Sequence, residues 1–254
     1  SATLSTDFVA RCPSTHGVDR RKIVGSVRCV YGPAGSDSPC VPVKATDPLY
    51  VLYTSGTTGR PKGVVRDNGG HAVALHWSLK NIFDTDAGDT FFCASDVGWV
   101  VGHCYIVYAP LIRGATSILF EGKPIGTPDA GTYWRVVAEH GAKVLFTAPT
   151  AIRGIRKEDP DGELPKRYDL SKFEALFPAG ERAAPETLIW SEKALDRPVI
   201  HHWWQTESGW PMVANPLGLG LLPVTRGRTT LAMTGFAAQR LHPPVPPLAA
   251  GVLA

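Results

Sequence analysis

Tyr53-Thr54-Ser55-Gly56-Thr57-Thr58-Gly59-Arg60-Pro61-Lys62-Gly63 is the stretch from which this sequence opens up. The apolar run Leu49-Tyr50-Val51-Leu52-Tyr53 leads into it, so the stretch reads as a loop leaving the end of a strand. Three glycines allow positive φ and close backbone approach, letting successive N–H groups converge on an anion. The hydroxyls of Thr54, Ser55, Thr57 and Thr58 add neutral donors, and Lys62 adds a point charge suited to phosphate oxygens. Pro61 fixes φ just before that lysine. Lys62 is followed by Gly63, so the loop lacks the Lys-Ser/Thr order of a P-loop. Two readings stand: a polyphosphate cradle, and a polar turn between two strands. The convergence of donors favours the cradle.

Downstream, strands and helices alternate. Residues 71–79 carry apolar side chains at helical spacing, and 132–140 form an amphipathic helix stopped by Gly141. Further helices are expected over 151–157 and 185–194. Strands are expected over 89–94, 116–120, 143–147, 173–177 and 198–202. The alternation predicts an α/β fold, with layered, largely parallel sheets and flanking helices.

Three more constellations follow strands. In Ser95-Asp96-Val97-Gly98-Trp99-Val100-Val101-Gly102-His103, a large aromatic sits immediately after a glycine turn; taken alone, Trp99 reads as core. Phe177-Pro178-Ala179-Gly180-Glu181-Arg182 is by itself a β-to-α turn whose glycine admits a flat ligand close to the backbone. His201-His202-Trp203-Trp204-Gln205-Thr206-Glu207-Ser208-Gly209 begins with adjacent histidines, but neighbours on a strand point to opposite faces. With no nearby third ligand, a zinc site there is disfavoured.

Composition narrows the class. A 44% hydrophobic, 19% charged chain of 254 residues is an ordinary globular composition. A net charge of +3 and the lack of a long basic run argue against nucleic acid, and no apolar stretch is long enough to span a membrane. The five cysteines (Cys12, Cys29, Cys40, Cys93, Cys104) are odd in number and contain no C-x-x-C pair, which argues against a disulfide or metal framework.

The four constellations together resemble the adenylate-forming, AMP-binding superfamily, and specifically its short-chain (propionyl-CoA and acetyl-CoA synthetase) branch. Y-T-S-G-T-T-G-x-P-K-G is similar to that family's phosphate loop, and W-W-Q-T-E-S-G to a run characteristic of the short-chain branch. The resemblance implies ATP-dependent activation of a short carboxylate, propionate favoured and acetate possible, to an acyl-adenylate and then to acyl-CoA. It implies ATP, Mg²⁺ and coenzyme A as cofactor or substrates. Thr54, Ser55, Gly56, Thr57, Thr58, Gly59 and Lys62 would cradle the phosphates, and Gly180, Glu181 and Arg182 would pack on adenine and ribose. His202, Trp203, Gln205 and Thr206 would complete the nucleotide site, Glu207 would hold Mg²⁺, and Lys62, Thr206 and Glu207 would carry the catalysis. Trp99, Val100, Val101, Ala179 and Trp204 would line the substrate pocket. In acetate-specific relatives the position of Ala179 is typically Val.

The resemblance covers 39–224 as the core of the AMP-binding domain. It leaves 1–38 as a poorly patterned leader and 225–254 as a Pro/Ala-rich divergent tail. The leader is rich in arginine, so a mitochondrial matrix location is the alternative to a cytoplasmic one. The family's small domain with its catalytic lysine is expected to lie outside this sequence, and the chain alone to be inactive. A non-catalytic nucleotide-binding remnant is the competing reading. The expected partners are small molecules; the sequence does not fix an oligomeric state.

Overall fold

A computed structural model describes residues 41–54, 59–223 and 231–232. The readings of 1–38, of 55–58 and of most of the tail fall outside the described residues. Strand β1 (Pro48–Thr54) pairs antiparallel with β2 (Lys62–Asp67), with Thr54 opposite Lys62 and Tyr50 opposite Arg66. Helix α1 (Gly69–Asn81) follows, then β3 (Thr90–Cys93). A continuous helical rod comes next: α2 (Val100–Gly102), a π-helical stretch (His103–Tyr108) and α3 (Ala109–Arg113). After β4 (Thr116–Ser117), helices α4 (Thr132–His140), α5 (Pro149–Glu158) and α6 (Pro185–Leu195) alternate with β5 (Val144–Thr147) and β6 (Ala175–Pro178). Pro149 and Pro185 open α5 and α6 at the position where a missing N–H costs nothing.

Strands β3 to β6 form one parallel sheet in the order β4-β3-β5-β6. Strand alternation sorts their side chains onto two faces. Phe91, Cys93, Val144, Phe146, Ala175 and Phe177 face one buried cluster with Leu75, Leu79, Phe83 and Tyr105. Phe92, Leu145 and Leu176 face another with Trp134, Val137, Ile152, Ile155 and Trp190. The result is an α/β/α sandwich, with α1 and the rod on one side and α4, α5 and α6 on the other.

Two expected strands are shorter than their sequence suggests. The strand at 116–120 ends at Ser117; the Ile118 amide still reaches the Phe91 carbonyl, but the Phe120 ring then turns onto Phe92 and Tyr133. The segment at 198–202 makes only a bridge, Leu176 opposite Val199. The Leu176 amide donates to Pro198 and the Ile200 amide to Leu176, but the next donor in the ladder would be Pro178, which has no N–H. In the tail, β8 (Leu231–Ala232) pairs antiparallel with β7 (Val213–Ala214), a pairing the Pro/Ala reading of 225–254 does not include. No helix of the described residues is long and apolar enough to cross a membrane.

Candidate functional site

A cleft of about 490 Å³ opens outside the carboxyl ends of β3, β5 and β6, where open parallel sheets place ligands. Ser95, Trp99, Val100 and Val101 come from the turn and rod after β3. Phe146, Thr147 and Ala148 come from the end of β5, and Ala179 and Gly180 from the end of β6. Trp204, Gln205, Thr206 and Glu207 close the far side. Backbone bonds hold the strand exits together: the Ala94 amide donates to Phe146 at 2.8 Å, and the Ala179 amide to Thr147 at 3.0 Å.

Each wall has a local cause. A Cβ on Gly102 would lie 2.3 Å from the Asp96 carbonyl oxygen, so only glycine lets the turn after β3 lie against the first turn of the rod. That packing sets Val100 inward and leaves Trp99 at the helix start, 68% exposed. The core reading of Trp99 is therefore corrected: its ring stands at the cleft rim, because the helix begins one residue later. On the opposite wall, residues 205–209 form a tight turn. The Gln205 amide donates to Ser208 Oγ at 3.2 Å and the Gly209 amide to the Gln205 carbonyl at 3.1 Å, which leaves Thr206 and Glu207 at its tip.

The structure brings Trp99, Val100, Val101, Ala179, Gly180, Trp204, Gln205, Thr206 and Glu207 into one cleft. It does not place the other nucleotide-site candidates there. His202 is a correction: the chain from Ile200 alternates, so Ile200, His202 and Trp204 point inward while His201 and Trp203 point outward. The His202 imidazole is 1% exposed, packed on Phe83, Phe146 and Phe177 beneath the cleft and not itself part of the lining. Trp203 is exposed, its amide bonded to the Val213 carbonyl. Glu181 and Arg182 are exposed beyond Gly180, the Glu181 carboxylate held by Arg153 at 3.1 Å. Thr54, Gly59 and Lys62 lie on the hairpin and outside the cleft lining, and Ser55, Gly56, Thr57 and Thr58 fall outside the described residues.

The cleft has an apolar end (Val100, Val101, Ala179, Trp204) and a polar end (Gln205, Thr206, Glu207). The buried histidines and cysteines near it are neutral. Burial lowers His202 to about 3, with His201 adding to the effect, and lowers His71 to about 4 with help from Arg66. Burial also pushes the Cys104 thiol up to about 12 and Cys93 well above its ordinary value, so neither is a nucleophile. The 3.9 Å approach of Cys104 Sγ to His71 Nε2 is thus a contact between two neutral groups. For a divalent cation, the exposed carboxylate of Glu207 is an oxygen donor that suits Mg²⁺ shared with phosphates. No group of three or more His, Cys, Asp or Glu placed to hold a metal ion occurs among the described residues.

Phe146, Thr147 and Ala148 belong to a stretch that resembles the family, but sequence reasoning did not assign them to the site, although the rule about carboxyl ends applies to them equally. That reasoning also passed over Arg66, which follows Val64-Val65 and precedes Asp67 on β2. Arg66 Nη1 donates to the Glu207 carbonyl at 2.9 Å, and Nη2 donates to the Thr206 carbonyl.

Acyl-CoA synthetase short-chain family member 3, mitochondrial, of Homo sapiens is 59% identical over 181 residues, 71% of this chain and 26% of that protein. Acyl-CoA synthetase short-chain family member B, mitochondrial, of Dictyostelium discoideum is 48% identical over 202 residues, 79% of this chain and 29% of that protein. Propionate–CoA ligase of Escherichia coli is 47% identical over 208 residues, 82% of this chain and 33% of that protein. The chain therefore spans between a quarter and a third of the length of these relatives. A sequence profile described as AMP-binding enzyme matches residues 8–237. Since that match runs through every strand and loop that builds the cleft, the chain belongs to the AMP-binding enzyme family.

Proposed function

We propose that this chain is the substrate-binding middle of an AMP-forming ligase that activates a short carboxylate, propionate before acetate, and transfers it to coenzyme A. The observation that carries the reading is the two-ended cleft, with an apolar pocket under Trp204 and a polar turn bearing Thr206 and Glu207. The alkyl end of the acid would sit against Val100, Val101, Ala179 and Trp204, with its carboxylate toward Thr206. One carboxylate oxygen attacks the α-phosphorus of ATP, the bond to pyrophosphate breaks, and an acyl-adenylate forms. The thiolate of coenzyme A then attacks the acyl carbon and AMP departs. Lys62 and the hydroxyl-rich loop would stabilise charge on the leaving pyrophosphate, and positioning would supply the rest. Mg²⁺ at Glu207 would supply charge neutralisation at the phosphates. The names of the human and slime-mould relatives, both printed as mitochondrial, support a mitochondrial location over a cytoplasmic one.

The test completes this chain with the flanking regions of the E. coli relative and measures propionate-dependent ATP–pyrophosphate exchange. Exchange is expected, and Glu207→Ala should abolish it. A folded chimera with no carboxylate-dependent exchange for two- to four-carbon acids overturns the reading.

A further inference from the structure

We infer that Arg66 is a positioning residue that straps the phosphate-loop hairpin to the Thr206–Glu207 turn, so that the two move as one unit. The inference deepens the proposed function and rests on it only for the identity of the ligand. Residues 66 and 207 are far apart in sequence, and β2 belongs to a separate two-stranded sheet. Yet the Arg66 guanidinium spans the gap and donates to two successive carbonyls, those of Thr206 and Glu207. Bonds from a charged donor to carbonyls are among the stronger hydrogen bonds in proteins. A planar fork meeting two adjacent peptide oxygens fixes peptide orientation, and hence the direction of the Thr206 and Glu207 side chains.

Two further observations show that the turn is built around this contact. Gly209 has φ +74°, and a Cβ there would lie 2.7 Å from Arg66 Cζ and 2.8 Å from Nη1. The positive φ by itself asks for glycine, and a side chain there would also have to displace the guanidinium. Arg66 is itself 8% exposed, which is far more buried than a solvated surface arginine. Its Nε makes no hydrogen bond to the described residues, so the two terminal nitrogens carry the link. Lys62 lies four residues before Arg66 on the same strand, so the strap ties a candidate phosphate donor to a candidate metal ligand through one side chain.

The test is hydrogen–deuterium exchange on the full chain, with calorimetric titration of Mg·ATP. In Arg66→Gln, peptides covering β1–β2 and residues 203–210 should both exchange faster by about tenfold or more, while peptides covering β5 and α4 stay unchanged and certify the fold. Arg66→Lys keeps the charge but not the fork, and should restore neither segment fully. Mg·ATP affinity should fall with the same order of variants. Unchanged exchange at 203–210 in Arg66→Gln, or full recovery by lysine, overturns the strap. If the wild-type chain binds no Mg·ATP, the ligand reading fails, and the exchange result still decides the strap.

Discussion

Gly102 and Val97 touch through their backbones: a Cβ built on residue 102 would lie 2.4 Å from Val97 Cα. The cleft turn and the helical rod are packed at a distance that excludes even one methyl group. An alanine in a helix ordinarily stabilises by roughly 0.5–1 kcal/mol relative to glycine. Here the sign should reverse.

Gly102→Ala is expected to destabilise the fold by about 1–3 kcal/mol, the usual range for overpacking against backbone. Denaturant unfolding measures it, and a stabilised variant would show that the turn moves away at no cost.

The His202 imidazole should set part of the acid sensitivity. Its folded value is about 3, whereas an unfolded histidine titrates near 6.5. Between those values the unfolded chain binds the extra proton, so the stability that His202 lends by staying neutral is present above about 6.5 and drains away as pH falls toward 3. His71, lowered to about 4, acts in the same direction. Replacing His202 with leucine should reduce the slope of stability against pH between 6 and 4.5 by about 1.4 kcal/mol per pH unit, one proton's worth. Chemical denaturation across that range reads the slope, and an unchanged slope would place the protonation elsewhere.

Ala179 is 4% exposed in the wall of the cleft beside Gly180. Valine there adds two methyl groups to the apolar end, where burying one methylene of substrate is worth about 0.8 kcal/mol. In the completed enzyme, Ala179→Val is expected to lower the propionate-to-acetate ratio of kcat/KM by about tenfold or more, the discrimination a pocket draws from one methylene. Steady-state kinetics with both acids gives the ratio; if it does not move, Ala179 does not set chain length.

Lys143 Nζ lies 3.3 Å from Asp84, 3.4 Å from Asp89 and 3.5 Å from Glu174. Burial works against its charge, but Asp84, Glu174 and Asp89 outweigh it and hold the pKa above its ordinary value. The contribution is therefore present at neutral pH and lost only as pH rises through that raised value. Lys143→Met leaves three carboxylates facing one another and should destabilise by about 1–3 kcal/mol. Added salt should shrink the loss by screening the carboxylates. Thermal melts at low and high salt give both quantities.

Strands β3, β5 and β6 and helices α4, α5 and α6 were legible in the sequence because each is a short apolar or amphipathic period bounded by glycine or proline. The end of the sheet was not legible. The apolar run at 198–202 looks like a strand, and what stops it is a proline on its neighbour, a fact about pairing rather than about the run itself. The site divides the same way. Trp204, Thr206, Glu207 and Ala179 were assigned through the family resemblance of their motifs, and they share the cleft. His202 was misplaced because alternation along 200–204 fixes inward and outward only once the sheet is known. Arg66 was missed because its two partners lie on a distant turn, and no local spacing announces such a bond.

The Lys143 cluster and the cleft occupy opposite ends of the same strands. Asp89, Lys143 and Glu174 precede β3, β5 and β6, and Ser95, Ala148 and Ala179 follow them. A four-residue strand puts roughly 13 Å between the two ends, beyond the range over which substitutions usually couple. The sheet therefore acts as an insulator: selection can rework the mouth for a new ligand without loosening the ionic clamp, and the clamp can be strengthened without retuning the mouth.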